Sequence, residues 1–99
     1  MKVTLINTKN EKKTIEVKSI REVKNLICSD FYKSPMEIIN LHNNEYLVID
    51  EEGKLKQLEF NEIATEIAHD NQAIFPSDFI VGNVILINDI DEFDMLPYN

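Results

Sequence analysis

Residues Phe79–Asn88 read FIVGNVILIN, the longest apolar run in the chain. Its β-branched residues and short length mark a strand, the strongest in the sequence. Gly82 and Asn83 break the run, which is about half of what a membrane-crossing helix needs. A glycine inside a strand signals a bulge or a close approach of another backbone. Tyr46–Ile49 (YLVI) is a second continuous apolar run, of a length suited to a central strand.

Outward from these two runs the periodicity is mixed. Lys2–Ile6 and Lys13–Val17 alternate apolar and polar residues around the polar Asn7–Lys12, so they predict an N-terminal β-hairpin. Ser19 and Glu22 have capping-box spacing, and Ile20, Val23, Leu26 and Ile27 make one apolar helical stripe. Ser29-Asp30 and Lys33-Ser34-Pro35 stop that helix. Met36–Leu41 predicts a third strand, and Asp50–Gly53 a turn in which Gly53 supplies left-handed geometry. Lys54–Leu58 is a weaker, short strand. Asn61 caps a second helix, Glu62–His69, with Ile63, Ala64 and Ile67 inward and Glu62 and Glu66 outward. Asp70–Asp78 is a loop. From about residue 89 the chain reads as an acidic tail, with Phe93, Met95, Leu96 and Tyr98 as anchors.

The expected fold is therefore α+β, in the order ββαβ(β)αβ. It is a single domain over residues 1–99, with one mixed, β-grasp-like sheet and one longer and one shorter helix on one face. The 99 residues and 43% hydrophobic content suffice for a core without staples. One cysteine, Cys28, excludes an internal disulfide framework and fits a reducing compartment. No secretory leader is apparent in MKVTLINTKN, so a cytoplasmic protein is expected.

The net charge of −8 is uneven. Residues 1–50 hold eight Lys/Arg and seven acids, a net +1. Residues 51–99 hold two lysines and eleven acids, a net −9. That half repels nucleic acid and attracts a basic partner.

From Tyr46 to Ile67 (YLVIDEEGKLKQLEFNEIATEI), and again at Phe79–Asn88, the chain resembles the domain-of-unknown-function 3846 family. These are small proteins of bacteria, phages and other mobile elements. The matching residues are Glu52-Gly53-Lys54-Leu55 at a turn, Leu58 and Asn61 after it, and Asp78, Ile80 and Gly82 on the last strand. The sequence departs at Glu59, where the family often has Pro, and at Glu62, where it often has Arg. The resemblance implies a fold and a bacterial or phage-infected host cell, and it implies no activity.

Catalytic spacing is weak. His42 and His69 lack a second His or Cys at metal-ligand spacing. Cys28 lies between Ile27 and Ser29 without an adjacent base. Asp89, Asp91, Glu92 and Asp94 lack the glycine and the final glutamate of a calcium loop. With two glycines there is no phosphate-cradling loop. The expectation is a non-enzymatic protein without cofactor or metal. It would bind a basic protein through an acidic face of Glu59, Glu62, Glu66, Asp70, Asp89, Asp91, Glu92 and Asp94. The alternative is a small-ligand or nucleotide site at Glu52, Gly53, Lys54, Asn61 and Asp78. An edge formed by the final strand or the early hairpin leaves room for a homodimer.

Overall fold

The structure is a computed structural model that describes residues 1–28 and 35–99. The expected helix stop at Ser29-Asp30 and Lys33-Ser34 lies outside them. The elements are β1 (Lys2–Ile6), β2 (Lys12–Glu16), α1 (Ile20–Ile27), β3 (Met36–Asn40), β4 (Tyr46–Asp50), α2 (Glu62–Asp70), β5 (Val84–Ile87) and α3 (Ile90–Asp94). They make an α+β fold around one five-stranded sheet, ordered β2-β1-β5-β4-β3.

Every pairing is antiparallel, so the mixed sheet expected from the sequence is corrected on this point. β1 and β4 run the same way, and β5 enters between them running opposite. Neither neighbour is then parallel to it, and the sheet lacks the parallel pair that a crossover would create.

Helices cover both faces rather than one. β5 is apolar at every position and β4 at all but its last, Asp50, and successive side chains point to opposite faces. Val48, Ile85 and Ile87 pack with Val3, with Val23 and Ile27 of α1, and with Phe93 of α3. Leu47 and Val84 pack the other way, with Ile6, Leu41, Ile80, and Ala64 and Ala68 of α2. A continuous apolar strand needs cover on both sides, and the chain supplies it with helices before and after the central strands. The α2 stripe is centred on Ala64 and Ala68, with Ile63 and Ile67 only half-buried.

The expected strand at Phe79–Asn88 is two pieces. Ile80–Gly82 runs beside Glu59–Asn61: the Asn61 N–H donates to the Ile80 carbonyl (2.9 Å) and the Gly82 N–H to the Glu59 carbonyl (2.7 Å). Gly82, at φ +79°, then turns the chain into β5. A Cβ at Gly82 would also stand 2.8 Å from Leu58 Cδ1. Gly53 is not in the left-handed region. There a Cβ would meet Val81 Cγ2 at 2.9 Å, so its role is close packing. Lys54–Leu58 is a set of turns rather than a strand, and Gln57 takes the positive φ.

Residues 89–99 are folded onto the domain and are not a tail. The Asp89 side chain accepts the Glu92 N–H and starts α3, whose Phe93 is 3% exposed. The chain end then caps α1. The Pro97 and Tyr98 carbonyls accept the N–H groups of Ile20 and Arg21, and Ser19 Oγ accepts that of Glu22. The Glu22 carboxylate takes the Lys18 N–H at 2.6 Å, one residue earlier than a capping box would place it. The N–H groups of the first three helical residues are thereby satisfied.

Candidate functional site

α2 ends at Asp70. Between the loop from Asn71 to Val81, which is anchored in the core by Ala73, Ile74 and Ile80, and strands β3 and β4 lies an open cleft of about 920 Å³. That is within the size range of ligand sites. Its floor is Ile39 of β3 and Ile49 of β4, facing Ile80 and Val81. Phe75 and Phe79 form its rim and are 80% and 45% exposed. Phe79 meets the half-exposed Phe60 in a tilted ring pair, centroids 6.3 Å apart. The aromatic rim thus continues outside the cleft, and large apolar surfaces left in water in this way mark interaction sites.

Three polar contacts hold the wall. His69 Nε2 lies 2.8 Å from the Asp78 carbonyl and ties the end of α2 to the loop. Lys54 Nζ forms an ion pair with Asp78 and lies 4.5 Å from the Phe79 ring centroid. The Lys54 ammonium and the Phe79 N–H both donate to Asp78 Oδ1, and together they hold that carboxyl below the usual aspartate range.

A second pair fixes the turn behind the cleft. The Asp50 side chain is fully buried, and Lys56 Nζ lies 2.6 Å from it. Asp50 also accepts the Glu52 N–H at 2.9 Å. This Asx turn brings Gly53 against Val81 and aims Lys54 across to Asp78.

Glu37 and Glu51 complete the sheet side of the cleft. Neither carboxylate meets a cation among the described residues. Among the described residues, Lys54 and His69 are the only basic groups in the lining, and each has a partner within the wall.

The expected site residues divide. Of the ligand set, Lys54 and Asp78 meet in the cleft. Glu52 is half-buried in the turn and Gly53 packs under Val81. Asn61 is completely buried and structural. Its oxygen caps α2 at Ala64 N, and its Nδ2 donates to the carbonyls of Ile6 and Gly82.

The acidic set does not gather on one face. Glu62, Glu66 and Asp70 lie exposed along α2, with Glu59 just before it touching Thr8. Asp89, Asp91, Glu92 and Asp94 belong to α3, on the opposite face of the sheet. Cys28 is buried against the α1 face, and His42 is exposed in the β3–β4 turn. Among the described residues, no three His, Cys, Asp or Glu side chains converge as metal ligands would. No helix there is long and apolar enough to cross a membrane.

Sequence reasoning missed Glu37, Glu51, Phe75 and Phe79. A signal existed for Phe75, which precedes Pro76 in the Asp70–Asp78 loop with no strand or helix pattern to bury it, whereas Phe79 opens the expected strand. Comparisons with protein-family models, curated proteins and solved structures find no match to this chain.

Proposed function

We propose that the chain is a non-enzymatic binding protein that takes a basic partner in the cleft beside β3 and β4. One observation carries this reading. The cleft joins an exposed aromatic rim to two carboxylates, Glu37 and Glu51, that pair with no cation among the described residues. Arginine and lysine side chains combine an apolar stem with a charged head, and such a site suits both parts. The net charge of −8 adds long-range attraction for a cation. The acids of α2 and α3 support this attraction from both faces and do not form a docking surface by themselves. The resemblance to proteins of phages and mobile elements makes a basic host protein a natural partner.

Calorimetric titration with a lysine-rich peptide tests the reading. Glu37→Gln with Glu51→Gln is expected to weaken binding, and raised salt to weaken it further. Glu62→Lys with Glu66→Lys is expected to have the smaller effect. If only the helix variant loses binding, the partner sits on α2 and the cleft reading fails.

The small-ligand reading rests on the cleft volume alone. A nucleotide phosphate placed there would meet Glu37, Glu51 and Asp78, with Lys54 already paired. A thermal-shift screen over nucleotides, divalent cations and aromatic amines separates the two, since a ligand of the folded state raises its melting temperature.

A further inference from the structure

The sheet has two edges, β2 and β3, and they differ in protection. β2 reads KKTIE, with charged, exposed residues of the kind that blunts an edge. β3 reads MEIIN, has one charge, and leaves Ile38 at its midpoint 43% exposed.

The bonding parity of β3 follows from its ends. The Glu51 N–H donates to the Pro35 carbonyl and the Leu41 N–H to the Glu45 carbonyl, both at 3.0 Å, in the same register as the strand pair. Odd-numbered residues of β3 are therefore bonded to β4. The N–H and C=O of Met36 and Ile38 face away from it. Side chains alternate with the backbone, so Glu37 and Ile39 point to the cleft side while Ile38 points to the other face.

From this geometry we infer that the basic partner binds as an extended peptide strand, added to the outer edge of β3. The inference rests on the cleft reading above and gives it a ligand class. Met36 and Ile38 supply the main-chain hydrogen bonds. Glu37 and Ile39 face the incoming side chains, which lie about 5 Å away between Cβ atoms when directly opposite. The favoured segment carries Lys or Arg opposite Glu37. Two positions away it carries a large apolar residue opposite Ile39, reaching toward Phe75. Main-chain bonding supplies affinity and the alternating pockets supply selectivity, which is the usual logic of strand addition.

A second copy of the chain fits less well. Antiparallel pairing about Ile38 would set Glu37 opposite Ile39 of the other copy and leave the carboxylate without a cation. It would also bring two chains of net charge −8 together.

Fluorescence anisotropy with three labelled ten-residue peptides tests the inference. One alternates Lys and Leu, one has the same composition in blocks, and one replaces Lys by Glu. The alternating peptide is expected to bind about tenfold or more tightly than the other two. Ile38→Pro removes one outward N–H and leaves the β3–β4 ladder intact, as proline on an edge strand does. It is expected to cut binding of the alternating peptide by about tenfold at a nearly unchanged melting temperature. Should Ile38→Pro prove unstable, N-methylation of alternate peptide bonds tests the same hydrogen bonds from the ligand side.

Equal binding of the blocked peptide, or binding indifferent to Ile38→Pro and to N-methylation, overturns strand addition. In that case Glu37→Gln with Glu51→Gln still decides whether the cleft binds the cation. Failure of every peptide, together with a dimer by sedimentation that Ile38→Pro disperses, gives the edge to a second copy and overturns the inference.

Discussion

The two faces of the sheet are made by the same strands, yet one is closed over its central strands and the other opens into a cleft. On the first, α1, α3 and the chain end cover the strands together, and the carbonyls of Pro97 and Tyr98 close the start of α1. On the second, α2 rests on two alanines and stops at Asp70, and a cleft opens between β3–β4 and the loop that follows the helix. The candidate site is that cleft. The chain places its aromatic residues accordingly: Phe93 is driven into the closed face, while Phe75 and Phe79 stay at the rim of the open one.

The largest test of this contrast is Phe93→Ala. Removing a buried phenylalanine costs about 3–5 kcal/mol, a large share of the stability of a domain this size. Denaturant unfolding is expected to show that loss, together with weaker protection of the α1 amides. An unchanged midpoint would return residues 89–99 to the status of an unattached acidic tail.

Asn61→Ala tests the open face from beneath. It removes the cap of α2 and leaves the Ile6 and Gly82 carbonyls without their donor in a fully buried place. A loss of about 2–4 kcal/mol is expected from the cap and the unsatisfied groups together. Asn61→Ser keeps a capping oxygen and is expected to recover only part of it. Equal stability of the alanine variant would mean that the contacts of Asn61 are not what joins α2 to the sheet.

These residues also show what a sequence can and cannot disclose. The Ser19 and Asn61 caps, the hairpin, the apolar stripe of α1 and the central β4 were readable because each depends on neighbours within a few positions. The continuous apolar runs Tyr46–Ile49 and Val84–Ile87 carry the sign of two covered faces, although the expected fold places the helices on one. What was missed depended on chain reversal. Gly82 splits one apolar run into two pieces by turning the backbone, and α3 forms where five residues dock through Phe93. For the site, the Lys54–Asp78 pair was within reach because both residues were already suspected. Glu37 and Glu51 were not, because a glutamate on a strand and another in the turn after the next strand give no sign of being neighbours until the register sets Pro35 beside Glu51.

Phe75→Ala is the counterpart of Phe93→Ala, the same change on the other face. The ring is mostly in water, so the stability change is expected to stay within about 0.5 kcal/mol. Peptide binding by anisotropy is expected to weaken. A loss of stability comparable to that of Phe93→Ala would mean that the rim is core, and the contrast between the faces would disappear.

The smallest expected effect concerns the wall of the cleft. Asp78 is held below the usual aspartate range by Lys54 and the Phe79 N–H. A lowered folded-state value means that the unfolded chain binds the proton more readily. The ion pair therefore contributes in full above about pH 4, and its contribution is lost as the pH falls through the folded-state value. The pair is half-exposed, so its worth is under about 1 kcal/mol at neutral pH. Asp78→Asn keeps an acceptor for the Phe79 N–H and removes only the charge. The stability difference between wild type and Asp78→Asn is expected to be small and constant near neutrality and to vanish on acidification. Lys54→Met is expected to abolish that difference at every pH. A difference that does not shrink on acidification or that survives Lys54→Met would show that Asp78 holds the loop through its backbone cap and its carbonyl contact with His69, not through the ion pair.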